Sequence, residues 1–464
     1  MLKYSHLKLS VKSLPAFLIA LMFWCWSGIA SAVLEIQITE GVEGEIPVAI
    51  VPFGIADGQG NIEPGLPGPE IPRKISDIIS SDLARTGRFS QIPEQDFLEH
   101  PNHGGEVNFE NWRALGVENL VVGRVRSSGK GNYVVQFQLF DIYRRSGGGP
   151  IGLDYKIKQI AGYNLPIKAN EIRQIAHYIS DIIYEKLTGQ RGAFSTQIAY
   201  ITSSGRSTSA KHSLQVADSD GHNPFTILQS ENPIMSPAWS PDAKSLAYVS
   251  FEGGKSAIYV QEIETGVRRL ISSKKGVNGA PAWSPDGKRL AIARSHRGNT
   301  EIHVIDITSR KDLRITRNSA IDTEPVWAPD GRSLVFTSDR SGRPQIYRIN
   351  ISGGRATRLT FEGNYNSRAR FSPDGKSLAM VHGTDSGFKI AVLELETNIL
   401  QELTSAGLDE SPSFAPNGGM ILYATEYRNK GVLAAVSFDG RARHRLLLQE
   451  GDVREPAWAP FSDN

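Results

Sequence analysis

The chain has 464 residues, 40% of them hydrophobic, with 51 Lys and Arg against 49 Asp and Glu and a formal net charge of +2. That length predicts two or three domains with packed cores. A charge so close to neutral argues against nucleic acid as a partner, and a single cysteine excludes a disulfide-built scaffold.

Residues 1–32 read as a signal peptide. Lys3, Lys8 and Lys12 form a positive start, Leu14 to Trp26 is an apolar core, and Ala30-Ser31-Ala32 is an A-x-A cleavage site. The core is too short for a comfortable membrane span. Without those three lysines the 51 basic residues fall to 48 against 49 acidic, so the mature chain stands at −1. Cys25 lies inside this segment, and its bulky neighbours Met22, Phe23 and Trp24 do not make a lipoprotein cleavage box. An exported chain of this size without cysteine suits the bacterial periplasm.

Residues 33–190 are expected to form an α/β domain. At its start, Leu34, Ile36 and Ile38 alternate with Glu35, Gln37 and Thr39, a short strand over 33–40 with one apolar face. Gly41 and Gly44 loosen its junction with the rest of the domain, so it can be a plain edge strand of this domain or a separable binding element that pairs with a strand edge elsewhere. Ile46–Phe53 reads as a buried strand and Gly54–Pro69 as a Gly/Pro-rich loop. A helix from Glu70 carries Ile75, Ile78, Ile79 and Leu83 on one face and stops at Gly87. Trp112–Leu115 reads as a short helix, Asn119–Val125 and Tyr133–Tyr143 as strands joined by a turn at Ser127–Gly131, and Ile151–Ile160 as another strand. A last helix is expected from Pro166 to Leu187, with Gly189 capping it.

Residues 191–464 carry a repeat. SPAWSPDAKSLAYVS (Ser236–Ser250) returns from Ala280, Glu324, Arg368 and Ser411, then cut short from Glu455. Its aromatics, Trp239, Trp283, Trp327, Phe371, Phe414 and Trp458, are spaced by 44, 44, 44, 43 and 44 residues. A β-rich unit of that period is a propeller blade of four strands. Pro285 presets the turn and Gly287 takes its left-handed position, so Asp242, Asp286, Asp330 and Asp374 are read as turn formers, not catalytic acids. Gln197–Thr202 matches the second strand of a blade whose leading strand is missing, and Glu455–Pro460 is a leading strand with nothing after it. The two fragments complement each other. The expected fold is therefore multi-domain: a signal peptide, an N-terminal α/β domain and an all-β, six-bladed β-propeller closed by strand 455–460.

No catalytic constellation stands out. There is no G-x-S-x-G nucleophile elbow, and Gly147–Pro150 lacks the lysine of a phosphate loop and suits a hairpin. His100 and His103 near Glu99 fit a solvated loop better than a metal site. Asp322, Glu324, Asp409, Glu410 and Glu455 could hold a hard cation or form a polar rim. A propeller hydrolase would need histidines converging on the channel, and a sugar-binding propeller would need aromatic platforms; neither is seen in these loops. No cofactor and no metal are expected.

Several runs go beyond the general repeat: IPVAIVPF (Ile46–Phe53), EKLTG (Glu185–Gly189), AFSTQIAY (Ala193–Tyr200), NPIMSPAWSPD (Asn232–Asp242), NGAPAWSPDGKRLA (Asn278–Ala291), FTSDRSGRPQIY (Phe336–Tyr347) and LDESPSFAPNG (Leu408–Gly418). With them the chain resembles the TolB family, periplasmic components of the Tol–Pal system of Gram-negative bacteria, over essentially its whole mature length. The resemblance implies a non-enzymatic interaction protein that binds the lipoprotein Pal at the propeller mouth. It also implies communication with TolA through the N-terminal region, here Leu34, Ile36 and Ile38, in support of outer-membrane integrity and constriction during division. Colicins borrow the same mouth in some bacteria. The implied mouth residues are Met235, Ser236, Val277, Asn278, Gly279, Ala280, Asp322, Thr323, Glu324, Ser367, Arg368, Asp409, Glu410, Arg454 and Glu455. Val277, where a His is familiar, and Arg368-Ala369-Arg370 depart from the family pattern and bear on partner specificity.

Overall fold

The computed structural model describes residues 36–38, 44–56, 70–144, 156, 158–205, 210–405, 407–446 and 451–462. Residues 1–32, expected as a signal peptide, together with Leu34 and most of the strand expected at 151–160, lie outside these residues. The short strand β1 (Ile36–Ile38) does not join the N-terminal domain: it pairs antiparallel with Ala442–Leu446 of the propeller, Ile36 opposite His444 and Ile38 opposite Ala442.

The N-terminal domain is built on one mixed sheet. β2 (Ile46–Ile50) lies parallel between β4 (Phe89–Gln91) and β5 (Asn119–Gly129), and β3 (Gly54–Ile55) pairs with the far end of β5. β6 (Asn132–Asp141) and β7 (Gln159–Lys168) extend it antiparallel. Helices α1 (Glu70–Ala84) and α3 (Ile172–Thr188) cover one face, where Ile75, Ile79, Leu83, Ile179 and Ile183 pack on Val48, Val121 and Val135. On the opposite face α2 (Phe109–Ala114) buries Trp112 against Leu120, Val122 and Phe140.

Several boundaries differ from expectation: the strand expected at Ile46–Phe53 stops at Ile50, Gly54–Ile55 is a strand and not loop, the short helix spans Phe109–Ala114, and the strand expected from Ile151 begins at Gln159. The last helix begins at Ile172 and not at Pro166, because Pro166 belongs to β7, opposite Val134. β7 is an edge strand, a place where proline is tolerated within a sheet. The β5–β6 turn is tighter than 127–131, with Lys130 and Gly131 both at positive φ (54° and 76°), the geometry of a two-residue hairpin loop. Gly189 ends α3 at φ 73° as its left-handed cap.

Six four-stranded blades make up the propeller. The first is composite: Gln197–Ser204, Lys211–Asp218 and Phe225–Ser230 are completed by the C-terminal strand Asp452–Trp458, which pairs with Gln197–Ser204 as the innermost strand. The other blades start from inner strands Ile234–Trp239, Asn278–Trp283, Asp322–Trp327, Tyr365–Phe371 and Glu410–Phe414. Each Asp of the S-P-D turns closes its own hairpin. Asp286 accepts from Ser284 Oγ (2.5 Å) and from the Lys288 N–H (3.1 Å), with Gly287 at φ 68°. The tryptophans pin blade to blade: the indole N–H groups of Trp239, Trp283 and Trp327 donate to the Ala457, Ala238 and Ala282 carbonyls of the preceding inner strands, at 3.0, 3.1 and 3.2 Å. Phe371 and Phe414 fill the same wedge without that bond.

The two domains form one unit. Asp181 on α3 accepts from the Phe194 and Ser195 N–H groups (2.7 and 3.1 Å) and so fixes the linker into the first blade. No helix among the described residues is long and apolar enough to cross a membrane.

Candidate functional site at the propeller mouth

Every inner strand carries a bulge at the same place, where its register to the second strand shifts. At each bulge one non-glycine residue adopts a left-handed backbone: Ser236, Ala280, Glu324, Arg368, Ser411 and Glu455, with φ between 47° and 56°. Left-handed φ is uncommon for such residues and is retained where surrounding structure over-determines it, often at functional sites. Bulges re-aim side chains. Here they set six symmetry-related residues around the channel, with Glu324 of the fourth blade and Glu455 of the first on opposite sides.

Arg368 of the fifth blade occupies the space between those acids. Its guanidinium lies 3.1 Å from Glu324 and 3.3 Å from Glu455 and also bonds the Ser411 hydroxyl. Glu324 further accepts from Thr337 Oγ1 (2.8 Å) and the Arg368 N–H (3.0 Å), and Glu455 accepts from the Ser236 N–H. Burial opposes the Arg368 charge, but Glu455, Glu324 and Glu410 outweigh it and raise its pKa still further. The deeper Arg370 donates to the Ala369 carbonyl (2.9 Å), and burial pushes its pKa down despite Glu324. The acids proposed as cation ligands are therefore partly spoken for: an internal guanidinium sits where a hard cation would.

On the other side the channel widens into a cavity of about 810 Å³. Its walls are Met235, Val277, Gly279, Ala280 and prolines 237, 281, 325 and 456, with Glu324, Arg368 and Glu455 behind them. Met235 and Val277 stand 40% and 46% exposed at its lip. Gly279, Ala280, Ser236 and Thr323 line it. Other residues of the expected set face inward. Asn278 and Asp322 are wholly buried: Asn278 Nδ2 donates to the Ser256, Lys274 and Gly276 carbonyls, and Asp322 takes both Arg340 (2.7 Å) and Asn318 (3.0 Å). They support the rim and do not present side chains to a partner. Ser367 and Asp409 are buried too, while Glu410 and Arg454 (3.8 Å apart) stand at the surface near Asp452. Sequence reading singled out Arg370 but missed the left-handed ring and an aromatic pair beside the mouth, Tyr365 and Phe388, with ring centroids 5.1 Å apart and edge-on.

Two clusters elsewhere resolve as structural. Glu99 is consumed by the Trp112 indole (2.7 Å), the Asn108 N–H (2.9 Å) and Asn111 (3.2 Å), and His103 Nδ1 accepts from the Gly105 N–H (3.1 Å). Asp82, His177 and Asp220 lie at the domain junction with spacing that would admit a metal ion. Arg85 (3.1 Å from Asp82) and Arg173 (bonded to Asp220) already neutralise both carboxylates, so the cluster is an ion-pair network.

Comparison with known proteins agrees with this architecture. The TolB amino-terminal domain model matches residues 34–147 and the TolB beta propeller domain model residues 184–462. A Tol-Pal system protein TolB of Nitrosococcus oceani is 59% identical over 445 residues, 96% of this chain and 97% of that one. Its counterpart in Thioalkalivibrio sulfidiphilus is 60% identical over 435 residues, 94% and 95% of the two chains. The crystal structure of TolB from Acinetobacter baumannii superposes with a TM-score of 0.80 at 40% identity, covering 92% of this chain and all of that one.

Proposed function

The chain belongs to the TolB family, non-enzymatic components of the Tol-Pal system, and from that membership we propose that it is a periplasmic adaptor with two binding elements. The propeller mouth receives the lipoprotein Pal, and the N-terminal strand is offered to TolA. Together they link the two membranes in support of envelope integrity and constriction at division. Colicins are further candidate ligands of the same mouth.

The observation that carries this reading is the mouth cavity itself. It is formed by loops and bulges on a closed ring, so a partner loop can enter without disturbing the fold. Its lip is apolar at Met235 and Val277, and its back wall is a satisfied ion-pair cluster, a surface suited to a protein loop with a mixed face. Gly279 is the rim position of the third blade, where the other blades carry Met235, Thr323, Ser367, Glu410 and Arg454.

That glycine provides the test. A Cβ built on Gly279 meets nothing closer than Val277 at 3.8 Å, and its backbone is not left-handed. Gly279→Leu should therefore fill the cavity without strain, whereas a β-branched residue at Ala280 (φ 47°) would strain the backbone. Pal affinity by calorimetry should fall at least about tenfold, with the melting temperature changed by no more than a few degrees. Unchanged affinity would mean that Pal binds another surface.

A further inference from the structure

A second pocket of about 430 Å³ opens at the same face, between the fifth and sixth blades. Its floor is Asp409, fully buried, and among the described residues neither carboxylate oxygen has a partner in hydrogen-bonding geometry. Buried polar groups are normally paired, so each exception calls for an explanation. The equivalent positions in neighbouring blades are satisfied. Asn278 reaches three carbonyls, Asp322 holds Arg340, and Asn366 bonds Gln345 (2.9 Å), the Glu362 carbonyl (2.8 Å) and His382 (2.8 Å). Gln345 stands 21 residues before Asn366; 21 residues before Asp409 stands Phe388, which has nothing to offer a carboxylate. Burial raises the Asp409 pKa; the nearby Thr404 and Thr425 hydroxyls and then the Arg443 charge pull the other way without reversing the rise. Arg443 is committed to the Leu403 carbonyl (2.7 Å).

The pocket around it is acidic and partly aromatic. Five carboxylates line it against two arginines. Glu324 is held by Arg368, and Glu410 and Asp452 share Arg454, which leaves Asp409 and Glu426 without an ion pair among the described residues. The outer wall is the Tyr365–Phe388 pair with the exposed Leu408. An aliphatic stem that ends in a cation fits this arrangement: the stem lies along Phe388 and Leu408, and the ammonium passes the aromatic pair to reach the carboxylates.

We infer that this pocket takes a lysine side chain of the partner docked at the mouth, with Asp409 as its counter-ion. The inference rests on the mouth reading and adds to it a chemical class of anchor and the residue that selects it.

The chain itself supplies the test variant, since Asn already stands at the equivalent positions 278 and 366. Asp409→Asn should fold with a melting temperature no lower than wild type, because it removes an unpaired buried charge. Titration of the full mature protein with Nα-acetyl-lysine methylamide, followed by NMR, should give saturable shifts at this pocket. The norleucine analogue, and either ligand added to Asp409→Asn, should give none. Shifts that are equal for lysine and norleucine, or that survive Asp409→Asn, would overturn the assignment. With Pal as the probe, Asp409→Asn should cost at least about tenfold in affinity. Acetylating the lysines of Pal should cost wild type the same factor and the variant nothing more. If Gly279→Leu abolishes Pal binding while Asp409→Asn and acetylation leave it unchanged, the mouth stands and the lysine pocket falls. If Gly279→Leu leaves Pal binding intact, the mouth reading fails, and the small-molecule titration alone decides the pocket.

Discussion

His177 sits between two carboxylates at the junction of the domains, its Nδ1 2.8 Å from Asp82 and its Nε2 3.6 Å from Asp220. Burial disfavours its charged form, but Asp82, by charge and hydrogen bond, and then Asp220 outweigh burial, so its pKa is raised. Asp220 is partly buried, which alone would raise its pKa, yet a His222 hydrogen bond and the charges of Arg85, His177 and Arg173 hold it well below the usual carboxylate range. The two groups act on stability with opposite signs of pH dependence. A raised histidine stabilises the fold fully below its unfolded value of about 6.5 and loses that contribution as pH rises through the folded value. A depressed aspartate contributes above its unfolded value of about 3.9 and loses it only in stronger acid. Both act together between about pH 4 and pH 6.5. The protein should therefore melt a few degrees higher at pH 6 than at pH 9. His177→Gln should flatten that slope while lowering stability at pH 6. Equal slopes for wild type and variant in calorimetry would remove His177 from the account.

At the scale of strands and helices, the closing strand Asp452–Trp458 carries more than its length suggests. It supplies the inner edge of the first blade, the fully buried Val453, and Trp458, whose indole donates to Thr196 (2.8 Å). Its Ala457 carbonyl also receives Trp239 of the second blade. Losing these side chains costs on the order of 5 kcal/mol, comparable with the whole stability of an ordinary domain. A chain ending at residue 451 should lose the propeller's cooperative transition in calorimetry, and an unaltered transition would refute closure by this strand. The split repeat was legible because its turn chemistry is local: Pro, Asp and Gly at fixed offsets specify the same hairpin wherever they occur. The start of α3 was not, because apolar residues run from β7 into the helix without a break and Pro166 suits an edge strand as well as a first helical turn. The ring of left-handed residues was also invisible, since Ser236, Ala280, Glu324 and Arg368 carry no local preference for that backbone. The bulged inner strands impose it. The mouth residues came from family resemblance and not from periodicity, and burial then divides them: Asn278, Asp322 and Asp409 lie inside, and Met235 and Val277 at the lip.

Across the whole molecule, one sheet connects the two proposed binding elements. β1 pairs with Ala442–Leu446, and the same five-stranded sheet ends at Glu410–Phe414, whose Ser411 bonds Arg368 in the mouth. The outer strand is also fixed from the other side. Gly87, after α1, approaches so closely that an added Cβ would collide with the Ala442 side chain. A partner that engages Glu410 and Arg368 thus acts on the inner edge of the sheet whose outer edge holds β1. Three paired residues at an outer edge form a weak attachment, since such edges are also templates for pairing elsewhere. On the proposed reading the segment has two resting places, its own sixth blade, where it is seen, and a strand edge on TolA. If Pal favours one of them, linkage requires TolA to feel the difference, typically 1–3 kcal/mol or about 5–150-fold in affinity. A mature chain that begins at Gly41 should keep its melting temperature within a few degrees, bind Pal, and no longer bind TolA. Calorimetry of TolA with the full mature chain should give different affinities with and without saturating Pal. TolA binding that survives the truncation would reduce β1 to an ordinary edge strand. Equal TolA affinities with and without Pal would leave two independent sites on one sheet, and the coupling through the sixth blade would be wrong.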